Sequence, residues 1–171
     1  MMENELSEAR IRLVVREGDP LYSSMPMDNP AAAVNAMSQF LKDMDRELFC
    51  VVNLDSQYRP INYNVTSIGN VNSSLVAPAN VFKTAILCNS SYIMLFHNHP
   101  SGVLTPSRAD DITTKHLIEG GKLLGIPVVD HIIVNCEGNY FSYHKERSDE
   151  FDFHVSNDAM IGESQSDQSF F

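Results

Sequence analysis

The stretch Tyr92–Asp111, YIMLFHNHPSGVLTPSRADD, constrains this chain more than any other. Its apolar opening, Tyr92 to Phe96, predicts a strand buried on both faces, and Pro100 ends that strand. His97 and His99 lie two residues apart. In extended backbone that spacing puts both imidazoles on one side, where they can converge on a single ion. After a turn rich in Ser, Gly, Thr and Pro, the run Pro106–Asp110 predicts a helix start, with Ser107 as N-cap and Asp110 one turn in. A carboxylate folded back over the strand end supplies a third ligand. Two imidazoles and one carboxylate suit Zn2+ and leave the fourth tetrahedral position open, as in catalytic rather than structural sites. No cysteine lies close enough in sequence to close the site. Taken alone, His-x-His is a weak signal and Ser107 with Asp110 is an ordinary capping pair. The whole string across a strand, a turn and a helix is what points to a metal.

The rest of the chain limits what such a site can serve. With 171 residues, 43% of them apolar, the chain can bury one good core, so one domain is expected. No apolar run has the length of a membrane span, and the first residues lack the basic-then-apolar order of a secretory signal, so a cytoplasmic protein without membrane attachment is expected. Cys50, Cys88 and Cys136 are odd in number and widely spaced, which favours reduced thiols over a disulfide framework. Twelve basic against twenty-two acidic residues give a net charge of −10. The main basic cluster is Arg10, Arg12 and Arg16, so direct nucleic-acid binding is disfavoured.

Periodicity predicts the elements in order. Arg10–Arg16 alternates as an edge strand, and Asp28-Asn29-Pro30 caps a helix with Ala33, Met37, Phe40, Leu41 and Met44 inward. Leu48–Leu54 is a central strand, followed by a hairpin return through Ile61, Tyr63 and Val65. Pro78–Cys88 is a helix with Val81, Phe82, Ala85 and Ile86 inward, and a second helix runs from Ser107 to Leu124, ended by Gly125. Its Gly120-Gly121 pair allows close packing against a neighbour. Val128–Val134 and Tyr140–Tyr143 form a final hairpin. His131 reads as a buried histidine fixed by its acidic neighbour Asp130 rather than as a ligand. On spacing alone, Glu47 beside Arg46 is half of a surface ion pair as readily as a functional group.

His97-x-His99-Pro100, seven residues to Ser107 and two more to Asp110 resemble the JAMM (MPN+) metalloprotease motif. His99-Pro100-Ser101-Gly102 with Thr105-Pro106-Ser107 resembles its RadC branch, and the likeness takes in Asp45–Phe49, Ser67-Ile68-Gly69 and Val129–Val134. It extends over residues 10–143, leaving residues 1–9 as an expected flexible N-terminus and residues 144–171 as an expected acidic, disordered tail whose aromatics leave a homodimer open.

The resemblance implies a mixed α/β domain of the cytidine-deaminase-like MPN/JAB fold, a curved mixed sheet flanked by about three helices. It implies a zinc-dependent hydrolase of a peptide or isopeptide bond in a peptide or protein substrate. His97, His99 and Asp110 are then the ligands, Glu47 the base acting on water, and Ser107 the donor to the oxyanion, its backbone capping the helix while its hydroxyl faces the metal. The alternative is a RadC-type accessory protein in DNA repair or mobile-element biology that acts by binding with little or no turnover. Other His-x-His folds fit less well, since amidohydrolase-type barrels need roughly 250 residues.

Overall fold

The computed structural model describes residues 25–69 and 76–152. The elements run α1 (Pro30–Leu41), β1 (Leu48–Leu54), β2 (Pro60–Ile68), α2 (Pro78–Leu87), β3 (Tyr92–His99), α3 (Arg108–Leu124), β4 (Val128–Asn135), β5 (Tyr140–Ser142) and α4 (Tyr143–Arg147). They form one five-stranded sheet in the order β2-β1-β3-β4-β5. The β3–β4 pair is parallel and the other three pairs are antiparallel, so the sheet is mixed, as expected of an MPN/JAB fold.

Apolar runs become interior strands because both sheet faces are covered. All seven residues of β1 are buried. Phe49 and Val51 join Val81, Phe82 and Ala85 of α2 and Leu117 of α3 in one core, while Cys50, Val52 and Leu54 join Ala33, Met37 and Leu41 of α1 in another. The strand alternation therefore sorts side chains into two cores on opposite sides of the sheet.

Local chemistry sets the helix ends. The Asn29 side chain accepts from the Ala32 N–H at 2.9 Å and starts α1. Gly125, at φ +68, ends α3 in the left-handed region, where a side chain is strained. Gly121 is where α3 meets the chain leading into β4: a Cβ there would lie 2.7 Å from the Ile126 carbonyl oxygen. The glycine pair does permit close packing.

The fold class stands, a mixed sheet flanked by helices, with the described residues adding a short fourth helix after β5. Several expectations change. The segment placed at the start of a disordered tail forms α4, and Phe151 beyond it is buried in the core beside Tyr143. Arg147 explains this order: it lies over the Tyr143 and Phe151 rings and bonds Asp111 at 2.6 Å, tying the segment to α3. Ile86, expected inward, is 53% exposed, because α2 uses only the narrower stripe of Val81, Phe82 and Ala85. Cys50 is buried, Cys136 is exposed, and the three thiols are free. The expected strand at residues 10–16 and the tail from residue 153 lie outside the described residues.

Candidate metal centre

The centre forms where the carboxyl end of β3 meets the first turn of α3. His97 is fully buried and Asp110 nearly so, whereas His99 lies at the mouth. The His97 Nε2 and His99 Nε2 atoms are 2.9 Å apart. Asp110 Oδ1 is 3.3 Å from His97 Nε2, and Asp110 Oδ2 is 3.7 Å from His99 Nε2. These three side chains form a group able to hold a metal ion, with one donor from each within 4.8 Å of the others.

Each member is fixed by its local fold. Phe49 of β1 pairs with His97 of β3, and the two-residue repeat sends Leu95, His97 and His99 toward the helices α2 and α3. His99 Nδ1 lies 2.5 Å from the Val103 carbonyl oxygen, to which it must donate, so its Nε2 faces the centre. Val103 is brought round by a tight turn in which Gly102, at φ +83, donates to the His99 carbonyl. Asp110 belongs to a capping box: the Ser107 N–H donates to its Oδ2 at 2.7 Å, and Ser107 Oγ accepts from the Asp110 N–H at 3.2 Å.

The electrostatics suit a cation. Burial pushes the His97 pKa down to about 4, despite attraction from Asp110, so this ring is neutral and keeps a lone pair. Burial opposes ionisation of Asp110 too, but the hydrogen bonds from His99 and Ser107 and the neighbouring His97 outweigh it and hold the carboxyl well below the usual range. His99 is shifted upward: burial lowers it, and the contacts with Asp110 and the Val103 carbonyl more than compensate.

Beside the centre opens a cleft of about 420 Å³ lined by Glu47, His99, Ser101, Val103, Thr105, Ser107 and Asp110. Glu47 is half-buried there. The β1–β3 register explains its place: the pairing ends with Phe49 opposite His97, and Glu47 precedes Phe49 by two residues as His99 follows His97 by two, so both reach the same cleft. All five residues named from sequence thus meet in one region. One detail differs: it is the Ser107 hydroxyl oxygen that caps the helix, while its backbone N–H goes to Asp110.

Sequence reasoning missed the supports. Asn98 accepts from the Leu48 N–H at 2.7 Å and donates to the Arg46 carbonyl at 2.9 Å. His131 is buried, but Asp130 takes its backbone N–H; the ring contacts His97 and Thr114 instead. An amide residue between the two histidines, on the opposite strand face, was the available signal for Asn98. Nothing local marks Thr114.

A mixed α/β domain with two histidines at a strand end and an aspartate at the next helix start is the class this architecture defines. Residues 27–148 match the RadC-like JAB domain, and the chain belongs to that family. It is 41% identical over 118 residues to a UPF0758 protein of Methanosarcina barkeri, covering 69% of this chain and 51% of that protein. A UPF0758 protein of Histophilus somni is 42% identical over 106 residues, covering 62% of this chain and 47% of its own length. Another from Thermotoga maritima is 42% identical over 103 residues, with coverage of 60% and 46%. The chain spans about half the length of these relatives. The family match includes α4, beyond the boundary at 143 expected from sequence. Among the described residues, no helix is long and apolar enough to cross a membrane.

Proposed function

We propose that this domain is a zinc-dependent hydrolase of the JAMM type that cleaves a peptide or isopeptide bond. What supports the reading is the convergence of His97, His99 and Asp110 beside a cleft that Glu47 and Ser107 also line. The donor set fits Zn2+. Ligand bonds of about 2.0–2.1 Å imply donor separations of roughly 3.3 Å in a tetrahedron; the two imidazole nitrogens here are 2.9 Å apart, and Asp110 offers Oδ1 at 3.3 Å from His97 Nε2 and Oδ2 at 3.7 Å from His99 Nε2. One carboxylate and two neutral imidazoles leave a net positive centre when a divalent ion is bound.

Zinc held by these residues would supply Lewis acidity, bringing the pKa of a water in the cleft from about 15.7 to about 7. Glu47 then takes the proton from that water and returns it to the departing amine, so one carboxylate serves both halves of the reaction. Ser107 uses its hydroxyl oxygen to accept from the Asp110 N–H, and its O–H donates to the oxygen that gains charge as the carbonyl becomes tetrahedral. Asp110 is a poor competing base, because hydrogen bonds from His99 and Ser107 and the neighbouring His97 hold its carboxyl well below the usual range, so it binds a proton weakly.

A DNA-binding role has less support, since the chain carries a net charge of −10. The test is zinc analysis of wild type and Glu47→Gln together with a panel of peptide and ubiquitin-like isopeptide substrates. The expected result is stoichiometric zinc in both proteins and turnover in wild type alone. Equal turnover in the two would remove Glu47 from the reaction, and wild type without zinc would remove the metal.

A further inference from the structure

Behind the metal ligands lies a chain of buried polar contacts that neither the family motif nor the proposed reaction uses. His97 Nδ1 is 2.8 Å from His131 Nε2, His131 Nδ1 is 2.6 Å from Thr114 Oγ1, and Thr114 Oγ1 is 2.6 Å from the Asp110 carbonyl oxygen. The contacts begin at one ligand, cross to β4, and return through α3 to the residue that supplies another ligand.

Counting hydrogens fixes their direction. A carbonyl oxygen only accepts, so the single Thr114 hydrogen goes to Asp110. Thr114 Oγ1 must then accept from His131 Nδ1–H. A neutral imidazole with its proton on Nδ1 offers a lone pair at Nε2, which receives His97 Nδ1–H. His97 is left with an unprotonated Nε2, the atom that faces His99 and Asp110. The reverse tautomer would put a hydrogen where an ion must sit.

Packing holds the middle ring in place. His131 is fully buried. It stacks on Tyr143 with ring centroids 5.0 Å apart and planes 5° from parallel, and the Phe49 ring packs against it, tilted by 58° with centroids 5.3 Å apart. Its Nε2 contacts the rear of the His97 ring, so it is not itself a ligand to an ion held at His97 Nε2.

We infer that His131 is a positioning residue: anchored by Thr114, it locks His97 in the Nδ1–H tautomer and so presents Nε2 to the metal. This rests on the reading that His97, His99 and Asp110 hold an ion. A metal-binding histidine usually donates its second nitrogen to a carboxylate, a carbonyl or water, and losing such a partner typically weakens metal affinity about 10- to 100-fold. Here the partner is a second neutral imidazole whose own tautomer is set by a helix hydroxyl.

Two measurements test it. In the metal-free wild-type protein, two-bond 1H–15N correlation spectra of the histidine rings report each tautomer; His97 and His131 are both expected as Nδ1–H. His97 found as Nε2–H overturns the inference without touching the metal reading. The second is Zn2+ affinity measured by competition with a chromophoric chelator. His131→Phe keeps the aromatic stack but removes the acceptor and should bind Zn2+ about 10- to 100-fold more weakly. His131→Gln, whose amide oxygen can accept from His97 Nδ1–H, should recover most of that loss. A folded His131→Phe protein with wild-type affinity overturns the inference. Wild type that takes up no Zn2+ contradicts the metal reading instead, and the spectra decide the tautomers even if His131→Phe fails to fold.

Discussion

The side chain of Asn98 grips the backbone on both sides of Glu47, accepting from the Leu48 N–H and donating to the Arg46 carbonyl. Asn98 points away from its neighbours His97 and His99 because successive residues of a strand face opposite sides. The strand that delivers two candidate metal ligands therefore also fixes the backbone that carries the candidate base.

Asn98→Ala leaves the buried Leu48 N–H without its acceptor, which costs about 1–3 kcal/mol. Urea unfolding should show that loss while zinc content stays at the wild-type level, since none of the ligands is touched. Turnover should fall further than stability explains, because the Glu47 backbone is no longer held. Wild-type stability in this variant would contradict the clamp.

Metal affinity should depend on pH through a single proton. His97 is neutral above about pH 4, and Asp110 stays ionised. His99 is the group that must release a proton, and its pKa lies above the ordinary 6.5: burial lowers it, but the contacts with Asp110 and the Val103 carbonyl, with some help from Glu47, win. Zn2+ affinity should thus rise about tenfold per pH unit from roughly pH 5 until His99 is neutral, then level off. Glu47→Gln should move that break to lower pH. A chelator competition series over pH checks this, and a slope of two protons would contradict it.

Ser107→Ala should lose on two separate counts. Removing the N-cap acceptor costs about 1 kcal/mol of stability. Removing the oxyanion donor should lower kcat about 100- to 1,000-fold with little change in KM. Ser107→Thr keeps both groups and should restore both properties. A rate unchanged in the alanine variant would confine Ser107 to capping.

Asp130 gives a stability prediction independent of the metal. Burial pushes its pKa up to about 6, against hydrogen bonds from Ser142 and from the His144 and His131 backbone N–H groups. The folded state therefore holds this proton more tightly than the unfolded chain, whose carboxyl has the ordinary value near 3.8. That contribution is fully present below about pH 4 and lost as pH rises to about 6, a change of about 2–3 kcal/mol. In Asp130→Asn the oxygen still accepts from both backbone groups and the amide donates to Ser142. With chelator present, the urea stability of the variant relative to wild type should rise between pH 4 and 6. A difference that does not vary with pH would contradict the assignment.

The candidate site residues were legible because they sit on elements whose periodicity is local: His97 and His99 on one strand face, Ser107 and Asp110 in one capping box. β1 and β3 were legible as solid apolar runs, and their register then brought Glu47 toward His99. What could not be read depends on contacts between elements far apart in the chain. Asn98 reaches back to Arg46 and Leu48, and His131 meets Thr114 only after β4 has paired beside β3. The stretch after Tyr143 looked too polar to order itself. Its structure comes from Arg147 bonding Asp111 and covering two rings, a tertiary effect that composition does not record.

Whether His97, His99 and Asp110 hold one zinc ion is decided by X-ray absorption at the zinc edge of the stoichiometrically loaded protein. The expected first shell holds nitrogen and oxygen only, at about 2.0–2.1 Å, with the outer-shell pattern of two imidazoles, and the signal is lost in His97→Ala. Sulfur scatterers near 2.3 Å, or the same spectrum from the His97→Ala protein, would contradict it.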